Sequence, residues 1–537
     1  MTKKTRGWIV MFAKFTKFIN FIKKAYDKVE AFFTSPQTVF YLALAVGAVC
    51  TALMSSFPSN IYPDTANVYA RFAREIGNFN WSEGIVARVP MFNIVLAGLL
   101  AMTGIEAVTA LAIIAGIFYC ATCFPLRRFL ERYVSPLQAA WGCIFYITAP
   151  ILIRFACAPL LESTRIFFLI AAIWLFFETM ERPNWKKGVL FGLSCGFLMV
   201  SRGEGLPAGL ALLGGFLPWA LIFCRRVNFK KQAVAWALSI AFTMLACSPF
   251  CAMNYSKTGY FVPDMRAVEI VKRSCAEKST EKHNNKAVEA EQKKSQAQLA
   301  EEKLNADKHA RFFARAGVKK FTSDLLMGCY ERYFVLAVLG LLVFIWQKKM
   351  KWDYLMISGM AVMHFAVYLT IVSDFRYYLF LIPLYMMFTI TGAAFICNLL
   401  KKYLPTPLFA FCALYCGLTM YDQVKEGIDC GTAHWGREYR EIGKYVEQYG
   451  KEHFPGRKIR VLERDVPEVV YWSKAFHVNG YEERDVNHAT AKDFDLIVCH
   501  PNAYEIFDAR DDIERIPNTP HPHRALIYRF KKKPADK

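Results

Sequence analysis

The chain has 537 residues, 55% of them hydrophobic and 15% aromatic, with a formal charge of +21. So apolar a composition over that length excludes a single ordinary soluble core and points to the membrane class. The basic residues stand in short clusters between apolar runs and form no contiguous patch. That distribution excludes a nucleic-acid partner and fits span ends that meet anionic membrane lipids.

Residues 1–36 place Trp8, Phe12, Phe15, Phe18 and Ile19 among lysines at roughly helical spacing. No uninterrupted apolar core with a small-residue cleavage site follows, so a cleaved signal is not expected. A basic amphipathic helix on the cytoplasmic surface is. Runs near the ~20 residues needed to cross a bilayer then predict spans at about 37–57, 107–124, 138–154, 165–180, 188–201, 206–224, 233–252, 333–347, 354–372, 378–399 and 406–421.

The apolar run 91–103, MFNIVLAGLLAMT, is well short of that length, and charge decides its treatment. Eight basic residues precede the first span, so the N-terminus is expected in the cytoplasm. If 91–103 does not cross, the clusters at Arg127/Arg128/Arg132, Lys186/Lys187, Arg225/Arg226/Lys230/Lys231, Lys348/Lys349/Lys351 and Lys401/Lys402 all fall on the cytoplasmic side. If it crosses, all of them fall outside. The run is therefore read as re-entrant or interfacial, which gives about 11 transmembrane helices in a membrane domain spanning 37–421, with outer loops at 58–106 and 253–332.

This topology gathers Asp64, Arg88, Glu162, Arg165, Arg202, Glu204, Asp374 and Arg376 at outer span ends. Ionised groups are costly at a membrane, and singly each could be an interfacial charge. Together they are what a site for an anionic head group needs. In the second outer loop, 275–311 is rich in Ala, Glu, Lys and Gln without an apolar stripe and reads as a solvated helix or mobile insertion. Its flanks, 254–264 and 311–321, mix aromatic and basic residues as interfacial anchors do.

Residues 422–537 are polar, with the short apolar runs RKIRVLE, DFDLIVCH and ALIYRF between helix-like stretches, and predict a small soluble α/β domain on the outer side. His477, His488, His500, His521 and His523 lack the fixed spacing of a metal motif and read as surface histidines. Most of the 16 cysteines lie in apolar runs. Cys275, Cys329, Cys430 and Cys499 fall in polar segments, and spacing assigns no disulfide among them.

The order YPDTANVYARFA, ARVPMFNIVLAGLL, PLRRFLERY, TAPILIRFACAPLLESTRIFFLIAAIWLFFE, GVLFGLSCGFLMVSRGEGLPAGLALL and FRYYLFLIPLY resembles the GT-C fold membrane glycosyltransferases. The likeness is to the bacterial branch that holds the lipid A aminoarabinose transferase, a relative of protein O-mannosyltransferases, and covers about 37–421. It implies transfer of a sugar from a polyprenyl-phosphate carrier to a lipid, glycan or protein acceptor outside the bacterial inner membrane. Asp64 matches the acidic residue of the first outer loop, implied to orient or deprotonate the acceptor. Arg88, before Val89-Pro90, stands where many members have Lys-Pro-Pro, and Phe92 replaces their tyrosine. Glu162 stands where many have Asp, Arg202 matches a cation at a span end, and Arg376-Tyr377 matches a late Arg-Tyr pair.

The chemistry fits those residue types. A carboxylate, Asp64 first, can hold the acceptor's proton, with Glu162 assisting it, binding the sugar or joining Asp64 around a divalent ion, and guanidiniums of Arg88, Arg202 and Arg376 can stabilise the departing phosphate. A salt bridge of Glu162 with Arg165 is the plainer alternative for that residue. Relatives leave a divalent metal open, and no His or Cys constellation requires one. A transporter or flippase of lipid-linked sugars would also carry charges near a cavity, but the chain shows no internal repeat. A scaffold working through 422–537 would leave the clustered outer charges unexplained.

Overall fold

The computed structural model describes residues 33–55, 65–81, 92–149, 152–153, 159–202, 205–223, 227–263, 330–347, 381–400, 421, 434–457, 459–464, 466–474, 476–479, 490, 493–503, 507–508 and 510–531. Among the described residues, twelve α-helices precede the C-terminal unit: α1 (Pro36–Ser55), α2 (Ala70–Gly77), α3 (Phe92–Ala101), α4 (Ala107–Ala121), α5 (Cys123–Leu130), α6 (Pro136–Ile147), α7 (Glu162–Glu181), α8 (Trp185–Ser201), α9 (Gly205–Phe223), α10 (Phe229–Thr258), α11 (Tyr330–Trp346) and α12 (Leu381–Leu400). Every expected span coincides with one of these except 354–372 and 406–421. The first lies outside the described residues and so does the second, apart from helical Tyr421. The N-terminal amphipathic segment and the insertion 275–311 also lie outside them.

Among the described residues, six helical segments are long and apolar enough to cross a membrane: α1, α4 joined to α5, α7, α9, α10 and α12. The join at Thr122 makes one continuous helix from Ala107 to Leu130, which carries the basic turn onto its last turns. There the cations are matched: Arg127 and Arg128 pair with Glu131, and Arg132 pairs with Glu181. The centre of the bundle is α7, 83% of whose apolar window is buried, against 28% for α1.

The helix boundaries follow local chemistry. Ser135 and Gln138 form a reciprocal capping box with Pro136 in the first turn of α6, which satisfies backbone donors that the helix cannot. Asn184 and Asn228 cap α8 and α10 by accepting from Lys186 N and Lys231 N. Gly259, at φ +75°, ends α10 in the left-handed conformation that glycine adopts without steric cost.

A seam of small residues joins α8 to α10. Gly188, Gly192 and Gly196 repeat every four residues, so they share one helix face. A Cβ at Gly192 would lie 2.3 Å from Ser239 O, so the two backbones touch directly. Across the seam Ser239 Oγ donates to Gly188 O and Thr243 Oγ1 to Gly192 O, both at 2.9 Å. Close backbone approach and interhelical hydrogen bonds supply the association that apolar side chains cannot provide in lipid.

The awkward run 91–103 forms α3, ten residues long. At 1.5 Å per residue it reaches about 15 Å, roughly half the hydrocarbon thickness. It packs against α2, an amphipathic helix that buries Ala70, Ala73 and Ile76.

The chain ends in α13 (His434–His453) and a five-stranded mixed sheet of order β2-β1-β3-β5-β4, with α14 (Pro467–Ser473) after β1. The strands are β1 (Arg460–Arg464), β2 (Phe476–Asn479), β3 (Leu496–Cys499), β4 (Ile513–Arg515) and β5 (Leu526–Phe530). β1 lies parallel to β2 and β3, and β5 runs antiparallel to β3 and β4. The runs RKIRVLE, DFDLIVCH and ALIYRF are thus β1, β3 and β5. Cys499, read from sequence as lying in a polar segment, is buried at the end of β3.

Asp495 ties this sheet together. Arg457 donates to both of its oxygens at 2.6 and 2.7 Å, and the Arg460 backbone N–H donates at 2.8 Å. Burial alone would raise the Asp495 carboxyl, but the hydrogen bonds from Arg457 and Arg460 bring it down to about 2. A depressed carboxylate contributes stability above its unfolded value, and that contribution is lost as pH falls through the folded value. The wild type should therefore lose up to about 2 kcal/mol between about pH 4 and pH 2, less whatever solvent screening removes at half-exposed Arg457. Thermal unfolding across that range should show the slope in the wild type and a flatter curve in Asp495→Asn. Parallel curves would refute it.

Candidate functional site

The segment Pro159–Arg165, which enters α7, is where three separate parts of the chain meet. Glu162 occupies the first turn of α7, where the helix dipole favours a carboxylate. Arg202 follows the last residue of α8, where the opposite end of a dipole favours a cation. The turn from α8 into α9 is held by Gly205 N donating to Arg202 O at 2.8 Å. A Cβ at Gly205 would meet Leu198 O at 1.9 Å, so this tight return requires glycine. The result is a buried ion pair: Arg202 Nη1 donates to Glu162 Oε1 at 2.5 Å.

The other Glu162 oxygen, Oε2, is buried and accepts no hydrogen bond among the described residues. A buried carboxylate oxygen in that condition is rare and calls for a physical reason. One turn further on in α7, Arg165 is also buried, at 3% exposure.

Neutral groups fasten two further segments to the same place. Thr65, the residue after Asp64, is fully buried and donates its Oγ1 to Pro159 O at 2.8 Å. Asn93, at the start of α3, donates Nδ2 to Thr164 Oγ1 at 2.8 Å. Beneath them Phe92 meets the rings of Phe118, Phe168, Phe197 and Phe250, with centroids 4.9–6.2 Å away. These aromatic contacts fix the start of α3 against α4, α7, α8 and α10.

Of the residues singled out from sequence, Glu162 and Arg202 are brought into contact. Asp64, Arg88, Arg376 and Tyr377 lie outside the described residues. Thr65, Asn93 and Thr164 carry no charge and were not read from sequence. For Thr65 and Thr164 a charged neighbour in sequence was the only signal, and Asn93, between Phe92 and Ile94, had none.

The sheet end of the chain reaches α2, the helix that follows Thr65. Arg74 Nη1 donates to Tyr471 O at 3.0 Å, and its guanidinium lies 4.0 Å from the Tyr471 ring centroid. Tyr471 and Trp472 of α14 bury themselves with Ala66, Ala70 and Ala73. Burial pushes the Tyr471 phenol up to about 12, against the opposing effect of Arg74.

Likeness to solved structures identifies the architecture: this is an integral membrane protein with the GT-C fold. ArnT from Cupriavidus metallidurans, an aminoarabinose transferase, matches in its undecaprenyl-phosphate-bound structure with a TM-score of 0.61 at 10% identity, over 91% of this chain and 97% of that one. Its apo structure matches at 0.60 and 12%, over 92% and 98%. The Archaeoglobus fulgidus oligosaccharyltransferase tethered to an acceptor peptide matches at 0.53 and 11%, over 92% of this chain and 75% of that one. No family model matches the chain, and no curated protein does. At these identities the likeness establishes the fold.

Proposed function

We propose that this protein is a membrane glycosyltransferase that moves a sugar from a polyprenyl-phosphate carrier to an acceptor on the outer face of a bacterial inner membrane. The observation that carries the reading is the buried Glu162–Arg202 pair, on either side of which the chain following Asp64 and the start of α3 are fastened, at Pro159 and Thr164. Four of the segments that carry the family resemblance therefore converge on one spot. The neighbours add support, since one of them is bound to undecaprenyl phosphate and another to an acceptor peptide.

In this reading Asp64 orients the acceptor hydroxyl and takes its proton, while Glu162 holds Arg202 in place and offers Oε2 to the sugar. Arg88, Arg202 and Arg376, with Tyr377, receive the lipid phosphate as it departs with its developing charge. The N-terminus is cytoplasmic, 37–421 is the transferase domain, and 422–537 is a small soluble domain on the outer side, with α14 packed on α2.

The test is transfer from a panel of labelled polyprenyl-phosphate sugars in membranes. Asp64→Asn and Arg88→Ala should each lose transfer by about 100-fold or more, and only Arg88→Ala should also lose binding of the lipid carrier. Full activity in Asp64→Asn would remove the base. Failure of the wild type with every donor, with lipid binding intact, would favour a flippase.

A further inference from the structure

Glu438, from the second turn of α13, and His521 and His523, from the HPHR segment that leads into β5, converge on one side of the sheet. Glu438 Oε1 lies 3.8 Å from His521 Nδ1 and 3.5 Å from His523 Nε2, and one donor atom from each of the three residues fits within 4.8 Å of the others. Zinc–nitrogen and zinc–oxygen bonds of about 2.0–2.1 Å in a tetrahedron set ligand atoms about 3.4 Å apart. Two edges of the triangle are therefore already within about 0.5 Å of a tetrahedral face.

The surroundings match those of a metal centre in more than spacing. A ligating histidine commonly donates its other ring N–H to a carboxylate, and a ligating carboxylate is itself hydrogen-bonded. Here His521 Nε2 lies 2.7 Å from Glu441 Oε2, which would fix the tautomer that leaves Nδ1 free to ligate. Arg524 Nε donates to Glu438 Oε2 at 2.6 Å, which leaves Oε1 turned to the two rings. His521 is held at φ +48°, an uncommon conformation for a residue with a side chain, and Pro522 stiffens the link between the two histidines.

We propose that Glu438 Oε1, His521 Nδ1 and His523 Nε2 bind a divalent transition ion, with zinc the best match to two imidazoles and one carboxylate, and with the fourth position open to water or an outside donor. Glu441 and Arg524 position two of these ligands. The site uses none of the residues assigned to sugar transfer, so it stands or falls independently of that reading. Its competitor is a plain ion-pair cluster in which protonated histidines face Glu438 and Glu441 and no metal is held.

The experiment uses the full chain in detergent, stripped with a chelator and titrated with zinc chloride against a chromogenic competitor. The wild type should take up one zinc per chain. His523→Ala, whose side chain is 61% exposed and carries little of the fold, should weaken binding by about 100-fold or more. Glu441→Ala, which leaves all three donors in place, should weaken it by about 10–100-fold. Loading with cobalt should give the visible absorption of a tetrahedral ion in the wild type and lose it in His523→Ala. A wild type that retains no zinc, or one whose affinity is unchanged in both variants, would overturn the proposal.

Discussion

Replacing Arg202 by alanine should abolish sugar transfer and cost about 3–5 kcal/mol of stability, because it strands the buried carboxylate of Glu162 without its counter-charge. The pair is withdrawn from water on both sides, with Glu162 3% and Arg202 9% exposed, so solvent cannot replace the lost partner. The same physics makes a sharper prediction for the double variant. With both groups exchanged for methionine, no charge is left buried, and stability should return to within about 1 kcal/mol of the wild type. Transfer should stay absent, since the guanidinium proposed to receive the phosphate is gone. Thermal unfolding in detergent together with the transfer assay separates these outcomes. Transfer by Arg202→Ala at wild-type rate would end the role given to that residue. A double variant as unstable as the single would show that the stranded carboxylate is not what costs stability.

Gly192→Leu should prevent folding, with a loss on the order of 4 kcal/mol or more. The first added carbon would stand 2.3 Å from Ser239 O, and that atom belongs to the backbone of α10, which has no rotamer to yield. The helices would have to part, and the hydrogen bond from Thr243 to Gly192 O would go with them. Gly214 in α9 is the control: nothing lies within 4 Å of a Cβ built there, so Gly214→Leu should be tolerated. The readout is the fraction of protein extracted as a monodisperse species in mild detergent. Equal yields from the two variants would remove the seam as the element that holds α8 to α10.

Six of the spans were legible because apolar runs of bilayer length have few alternative uses. Glu162 and Arg202 were legible for the converse reason, since charge at a span end is expensive enough to demand a cause. Their mutual pairing was not, because 40 residues separate them and Arg165 stands nearer in sequence. Thr65, Asn93 and Thr164 escaped notice because a neutral polar group costs little to place and leaves no mark in composition. The glycine seam did leave a mark, a four-residue period in GVLFGLSCG, which hydropathy does not measure. The end of α10 was set at 252 by its last apolar run, yet the helix continues to Thr258, because hydropathy reports the bilayer and not the backbone. Glu438 and His521 lie in different elements, so no spacing rule could have joined them.

The hydrogen bond between Arg74 and Tyr471 spans 397 residues of sequence. Synthesis proceeds from the N-terminus at roughly 5–20 residues per second. The helix that follows Asp64 is thus made about 20–80 s before the residues that will cover it exist. Through that interval α2 leans on α3 and α4, and this end of the bundle lacks its contact with α14 until the ribosome has nearly finished. A nascent chain stalled before residue 471 would hold most of its membrane helices and still present α2 uncovered, so a protease added from that side would separate newborn molecules from finished ones.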